Sequence, residues 1–248
     1  MKILVVSKAV IRDWLRTRSG LLFSFAFPVI LFLVLGSVYG NPGSPAQAVG
    51  QNSASYYLPG LTAAFIMANA VIGLTDVGSE LKRNGVLRRL SSTPLTKLEW
   101  FLGSILSQAV LALALAAVML TLGVALFNVS ALVNAYSVAL LLLGALLFSG
   151  VGMSLAGLVK DPEVALGLGN IIAFPMMLLS GTFWPISSMP SSLQTVAQAL
   201  PLTYFADGLR NSMVYADFTA ASIDLLVVAV FAIVLILLGA KLTQWKES

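Results

Sequence analysis

Long apolar stretches separated by short polar segments make up most of this chain. A helix that crosses the ~30 Å hydrocarbon core of a bilayer needs about 20 apolar residues, because each residue adds 1.5 Å. Six stretches meet this requirement, and each predicts one membrane-spanning helix: 21–39, 57–75, 100–127, 132–159, 164–183 and 225–242. The pattern predicts an all-α membrane protein in which residues 1–248 form a single transmembrane domain with six transmembrane helices.

The first 19 residues show the period of an amphipathic helix. On a helical wheel, one half is apolar (Ile3, Val6, Val10, Ile11, Trp14, Leu15) and the other half is basic (Lys2, Lys8, Arg12, Arg16). Such a helix lies in the headgroup plane, with its basic side toward anionic lipid. A plain basic flank of the first span is the alternative. The clean separation and Trp14 favour an interfacial helix over residues 1–19.

The basic residues predict the orientation, because short cytoplasmic loops retain Lys and Arg. Of the 14 basic residues, all except Arg210 fall on one side of the six-span topology. We therefore expect a multi-pass protein of the plasma membrane with both termini in the cytoplasm.

Composition narrows the chemistry. The 248 residues are 58% hydrophobic and 10% charged, against roughly 25% charged residues in soluble domains. There is no Cys and no His, so the commonest metal ligands and the usual general base are missing. There is no P-loop motif, and no ionisable residue falls in the middle of a span. We expect no catalytic residue, no metal site and no nucleic-acid partner, and the missing charges favour an energy source outside this polypeptide for any transport.

The segment after the second span, ELKRNGVLRRLSSTPL at residues 80–95, is charged with a few leucines among the charges. On physical grounds it fits either a helix that docks into a soluble partner or a solvated basic loop. Its acidic residue, basic pair, glycine and LRRLSSTPL run resemble the coupling loop of ABC-2-type permeases, the membrane subunits of ABC exporters. Daunorubicin-type drug-efflux permeases are similar in length and layout. The resemblance implies that segment 80–96 contacts a separate ATPase through Glu80, Arg83, Gly85, Leu87, Arg88, Arg89, Thr93 and Pro94.

The segment 184–220 between spans five and six is too long for a simple turn. Ser191 and Gln194 predict a capping box that opens a helix of about nine residues, Pro201 ends it, and a second helical piece follows from Tyr204. Both pieces are shorter than a span, so they fit a re-entrant helical hairpin or two interfacial helices. The resemblance implies a re-entrant outer gate that contains Phe183, Trp184, Pro185, Met189, Pro190, Pro201 and Tyr204.

Polar and small residues inside the spans allow two interpretations each. Asn69, Gln108 and Asn170 either form hydrogen bonds between helices or line a translocation path. Ala165, Gly169 and Ala173 recur every four residues, which permits close helix approach within the chain or in a dimer.

The resemblance implies a permease subunit of an ATP-binding cassette exporter for a hydrophobic or amphipathic substrate such as a drug, a lipid or a lipid-linked glycan. It implies two ATPase subunits that bind ATP and Mg, and a second permease subunit in a homo- or heterodimer surrounded by membrane lipid. The alternatives are a non-transporting scaffold of a polysaccharide or lipid assembly complex and an ion-coupled secondary transporter.

Overall fold

The computed structural model describes residues 2–16, 22–39, 53–83, 96–159 and 161–242, and in this part of the chain every regular element is helical. The α-helices are α1 Lys2–Arg16, α2 Phe27–Tyr39, α3 Ser53–Ala68, α4 Leu74–Arg83, α5 Lys97–Phe127, α6 Ala135–Leu158, α7 Pro162–Leu179, α8 Ser191–Ala199, α9 Pro201–Arg210 and α10 Phe218–Leu242. Wider π turns lie at Leu22–Ala26, Asn69–Gly73 and Asn211–Tyr215, and a 3₁₀ turn lies at Ile186–Ser188.

The described residues contain five helices that are long and apolar enough to cross a membrane. They are Ala54–Leu81, Glu99–Phe127, Ala135–Leu158, Pro162–Leu179 and Phe218–Leu237, and a further apolar helix, Ser24–Val38, is shorter. The expectation of an all-α integral membrane protein is confirmed. Five of the predicted spans correspond to these helices, whereas the count of six stays a prediction.

Two helices extend further than their apolar stretches. The second predicted span, 57–75, is part of a longer helical run, because the π turn Asn69–Gly73 joins α3 to α4 without a break and α4 continues to Arg83. The first residues of the segment 80–96 are therefore helical and not loop. The last span begins at Phe218 and not near 225, since the Asp217 carboxylate accepts a hydrogen bond from the Ala220 amide at 3.0 Å and caps the helix.

Helix α6 lies at the centre of the bundle, and close packing against it depends on glycine. A Cβ added to Gly144 would lie 2.4 Å from the Phe205 ring, and one added to Gly152 would lie 2.6 Å from the Ala70 carbonyl oxygen. Lipid supplies no hydrophobic force between helices, so small residues that let backbones approach contribute strongly to packing in a membrane. Helix α9 and the π turn Asn69–Gly73 thus approach α6 closely.

Helix α1 packs on the first turns of α5, which defines one end of the bundle, called here the α1 end. A Cβ on Gly103 would meet Val6 at 2.6 Å, and the Ser107 hydroxyl donates to the Ser7 carbonyl at 3.3 Å. Val6 also packs against a small apolar cluster that consists of Leu74, Trp100, Phe101, Ile105 and Met153. The predicted amphipathic helix is thus present, and its Val6 side packs against protein.

The small residues of α7 are used inside the chain. Ala165, Gly169 and Ala173 are buried, and a Cβ on Gly169 would lie 3.7 Å from both Ile72 and Thr75. Of the two interpretations, internal packing against α4 and its π turn is the one that the structure supports.

Phe205 is fully buried against Gly144 and Phe148 in α6, with the two rings 5.9 Å apart. We expect Phe205→Ala to reduce the free energy of unfolding by on the order of 3 kcal/mol, because the ring leaves a cavity that glycine cannot fill. Heating the detergent-purified protein and following its folded fraction by size-exclusion chromatography measures the effect. Phe174→Ala, at a side chain that is 58% exposed, is the matched control. Equal losses in the two variants would contradict this account of the core.

Candidate functional site at the α9 end

Helices α8 and α9 form a pair at the end of the bundle opposite α1, called here the α9 end. The predicted nine-residue helix is confirmed as Ser191–Ala199. The predicted capping box is wrong, because the residue that precedes the helix is Pro190, and the Gln194 side-chain amide donates to the Met189 carbonyl at 2.8 Å. Pro201 does not only end α8. It is the first residue of α9, where a proline loses no helical hydrogen bond, so α9 begins three residues before Tyr204.

Helix α9 is buried among three longer helices. Leu202, Phe205, Ala206 and Leu209 have no exposed surface. Phe205 contacts α6, whereas a Cβ on Gly208 would lie 2.9 Å from Asp224 on α10. Helix α9 therefore lies inside the bundle and does not rest on its surface.

A buried arginine fastens α9 to two distant segments. The Arg210 side chain is only 3% exposed. Its Nε donates to the Tyr56 carbonyl at 3.3 Å, its Nη2 donates to the Gly181 carbonyl at 2.5 Å, and its Nη1 pairs with Asp207 at 2.5 Å. Its guanidinium carbon lies 4.0 Å from the centre of the Tyr56 ring, in a cation–π contact. These four residues are called here the Arg210 cluster.

The cluster needs glycine at two points. A Cβ on Gly60 would lie 2.5 Å from Arg210 Nη2 and 2.8 Å from the Thr182 carbonyl oxygen. Gly181 has φ = 71°, a left-handed conformation that side chains rarely adopt, and its carbonyl also accepts a hydrogen bond from the Tyr56 hydroxyl at 2.5 Å. The start of α3, the turn after α7 and the end of α9 therefore meet around one cation.

Sequence reasoning identified Arg210 only as the one basic residue on the far side of the topology. Its partners Tyr56 and Gly181 are 154 and 29 positions away in the sequence, so no local sequence pattern predicts these contacts. One signal was present: an arginine directly after the apolar Leu209 in a membrane protein has to find partners away from lipid.

The π turn after α9 is fastened to the α5–α6 connection. The Asn134 side-chain amide donates to the Ser212 carbonyl at 2.5 Å, and the Leu132 backbone amide donates to the Met213 carbonyl at 2.8 Å. On the other side, the Asn211 amide donates to the Asp224 carboxylate at 2.9 Å. The end of α9 is thus linked to the α5–α6 connection and to α10.

The residues expected to form an outer gate lie along the α8–α9 pair and the turn before it. Met189 and Pro201 are buried; Phe183, Pro185 and Tyr204 are half-buried; Trp184 and Pro190 are exposed. The Phe183 and Trp184 rings lie 6.0 Å apart, and the Tyr204 hydroxyl donates to the Gln198 carbonyl at 2.8 Å, which braces α8 against α9.

At the α1 end, two of the residues expected to contact an ATPase are described. Glu80 and Arg83 are exposed on the last turn of α4. Gly85, Leu87, Arg88, Arg89, Thr93 and Pro94 lie outside the described residues. Thr96 and Glu99 form a capping box at the start of α5, with the Thr96 backbone amide donating to the Glu99 carboxylate at 2.8 Å.

The structure brings together two of the three in-span polar residues. Asn69 and Gln108 line the same small cavity between α3, α5 and α6. The Asn170 amide donates to the Leu166 carbonyl of its own helix at 2.9 Å, and Asn170 does not line that cavity.

A family model for the ABC-2 type transporter matches residues 1–214, which include α1, the α3–α4 helix and the whole Arg210 cluster. The chain belongs to the ABC-2 type transporter family. Its resemblance to ABC-2-type permeases is thereby confirmed.

Curated relatives agree with this family. The chain is similar to the linearmycin resistance permease protein LnrN of Bacillus subtilis, with 28% identity over 152 residues, 61% of this chain and 39% of that protein. It is 30% identical over 186 residues to ABC transporter G family member 20 of Dictyostelium discoideum, over 73% of this chain and 24% of that protein. It is 24% identical over 196 residues to the putative transport permease YvfS of Bacillus subtilis, over 78% of each. The chain thus spans about two fifths of the first relative and about a quarter of the second.

We expect Arg210→Lys to destabilise the α9 end, because one ammonium cannot replace the guanidinium at two carbonyls, a carboxylate and a ring at once. Each hydrogen bond to a charged donor that is lost costs about 1.5–3 kcal/mol. The apparent melting temperature of the detergent-purified protein should fall by several degrees. Arg12→Lys, at an exposed position of α1, is the matched control and should leave it unchanged. Equal melting temperatures for Arg210→Lys and the parent protein would contradict the role of the cluster.

Proposed function

We propose that this chain is the membrane-spanning permease subunit of an ABC exporter. The observation that carries the proposal is the match of residues 1–214 to the ABC-2 type transporter family. The chain has no P-loop motif, which agrees with ATP and Mg being bound by a separate ATPase subunit.

The proposed ATPase contact is at the α1 end. Glu80 and Arg83 stand exposed at the tip of α4, which continues the α3 helix through its π turn. A push on this tip is carried along one helical run from the segment 80–96 to Tyr56 in the Arg210 cluster. The proposed coupling segment consists of Glu80 and Arg83 together with Gly85, Leu87, Arg88, Arg89, Thr93 and Pro94. Helix α1, which lies beside α5, is the proposed interfacial helix.

The α8–α9 pair is the proposed outer gate, as a re-entrant hairpin in the outer leaflet. This proposal is supported by the burial of α9 against Gly144 and Phe148 of α6. These two residues come nine and 13 residues after the start of α6, which is about 14–20 Å along that helix at 1.5 Å per residue. Irregular backbone at such a depth requires surrounding protein, and α3, α6 and α10 provide it. The Arg210 cluster would hold this gate closed.

The proposed topology keeps six spans with both termini in the cytoplasm of a plasma-membrane protein. The shorter apolar helix Ser24–Val38 would be the first span. The proposed translocation path contains the polar residues Asn69, Gln108 and Asn170. The proposed assembly has two permease chains and two ATPase chains. The proposed substrate is a hydrophobic or amphipathic compound. The last point is supported by the uncharged middle of the spans and by the name of a relative, a linearmycin resistance permease.

Glu80→Ala, and separately a double substitution of Arg88 and Arg89, should reduce substrate-stimulated ATP hydrolysis by the reconstituted complex severalfold, because the contact that links the two subunits is weakened. The complex is first purified through this chain, and a P-loop ATPase should be recovered with it. Glu163→Ala is the matched control, since Glu163 is exposed at the start of α7 on the same end of the bundle. Unchanged stimulation in both test variants would count against the coupling segment, and the absence of any co-purified ATPase would count against the function itself.

The orientation can be tested with single cysteines, because the chain has no native Cys. Ser130 lies exposed in the α5–α6 connection, and Glu163 lies exposed at the other end. On intact cells, a membrane-impermeant maleimide should label Ser130→Cys, whereas Glu163→Cys should react only after permeabilisation. The reverse pattern would show that the topology is inverted.

A further inference from the structure

A site with two side-chain amides lies inside the bundle, about midway between its two ends. Asn69 is 16 residues after the start of α3, and Gln108 is 11 residues after the start of α5, which places them about 24 Å and 16 Å along their helices. They line a cavity of about 10 Å³ whose other walls are apolar: Ile66, Ala70, Leu111, Ala112, Leu115 and Ala145.

Gln108 is buried, with 6% of its surface exposed, and within the described residues its side-chain amide makes no hydrogen bond. The amide is directed at the π turn of the second span, because a Cβ on Gly73 would lie 4.0 Å from its nitrogen. Asn69 opens that turn, and its amide reaches the Ser24 carbonyl only at 3.5 Å, the outer limit of a hydrogen bond.

The two amides line one small cavity, and in the described part of the chain only the Asn69 amide has a partner, so the Gln108 amide can take a further partner inside the cavity. A buried amide without one costs about 1–3 kcal/mol. A cavity of roughly 10–15 Å³ accommodates a single water molecule, provided that polar groups line it.

We propose that this cavity is a binding site for one water molecule, which bridges Gln108 on α5 to Asn69 at the π turn of the second span. The water satisfies Gln108 while the second span keeps its widened turn. Wide turns and inserted waters are recognised points at which helices bend. The site belongs to a single chain and does not depend on the proposed transport function.

Radiolytic footprinting tests the site directly in the full chain. X-rays produce hydroxyl radicals from bound water, and detergent keeps bulk water away from the core. Leu115, which lines the cavity and is 1% exposed, should be oxidised severalfold faster than Leu147, which is 0% exposed and does not line it. Equal oxidation of the two leucines would overturn the proposal.

A double-substitution cycle gives a second readout. Gln108→Leu and Asn69→Leu should each lower the apparent melting temperature, because each leaves the other amide and the water short of a partner. The double variant should lose less than the sum, since no polar group is then left unpaired. Gln198→Leu, at an exposed residue of α8, controls for the substitution itself. A Gln108→Leu variant more stable than the parent, or strictly additive losses, would show that the amide has no bridging partner and would overturn the proposal.

Discussion

The buried guanidinium of Arg210 sets the geometry of the α9 end. A cation can stay out of water only where acceptors surround it, so its position fixes Tyr56, Gly181 and Asp207 together. That requirement in turn excludes side chains at Gly60 and explains the left-handed backbone at Gly181. With α9 held there, its apolar residues fill the space above Gly144 that would otherwise separate α3, α6 and α10. In a lipid environment, where helices gain little from hydrophobic contact alone, such polar fastening decides which helices stay together.

The two ends of the bundle are built in different ways. At the α9 end, hydrogen bonds join segments far apart in the chain: the Arg210 cluster and the links from the π turn at Ser212 and Met213 to the α5–α6 connection. At the α1 end, α1 and α5 meet mainly through an apolar cluster and close glycine contact at Gly103. Glu80 and Arg83 are exposed at the α1 end, whereas the arginine of the α9 end is buried.

The apolar stretches predicted the helical class and the approximate place of five long helices, because a run of 18 or more apolar residues is long enough to cross a bilayer only as a helix. The sequence also predicted the amphipathic helix α1 and the nine-residue length of α8. It did not predict the ends of the helices. Helix α4 continues past the last apolar residue to Arg83, and the Asp217 cap starts α10 early; neither effect depends on hydropathy. Pro201 was interpreted as an end although it also begins α9. The role of Arg210 depends on contacts across 154 positions, which a linear pattern does not contain.

Helix α5 has a mechanical consequence that follows from its length. It runs without interruption from Lys97 to Phe127, 31 residues or about 46 Å, and it is held near its first turns by α1 and beyond its last turn through Leu132. A helix with no break in its backbone hydrogen bonds is a stiff element. A displacement imposed at one of its ends therefore reaches the other end without a change of backbone conformation in the middle.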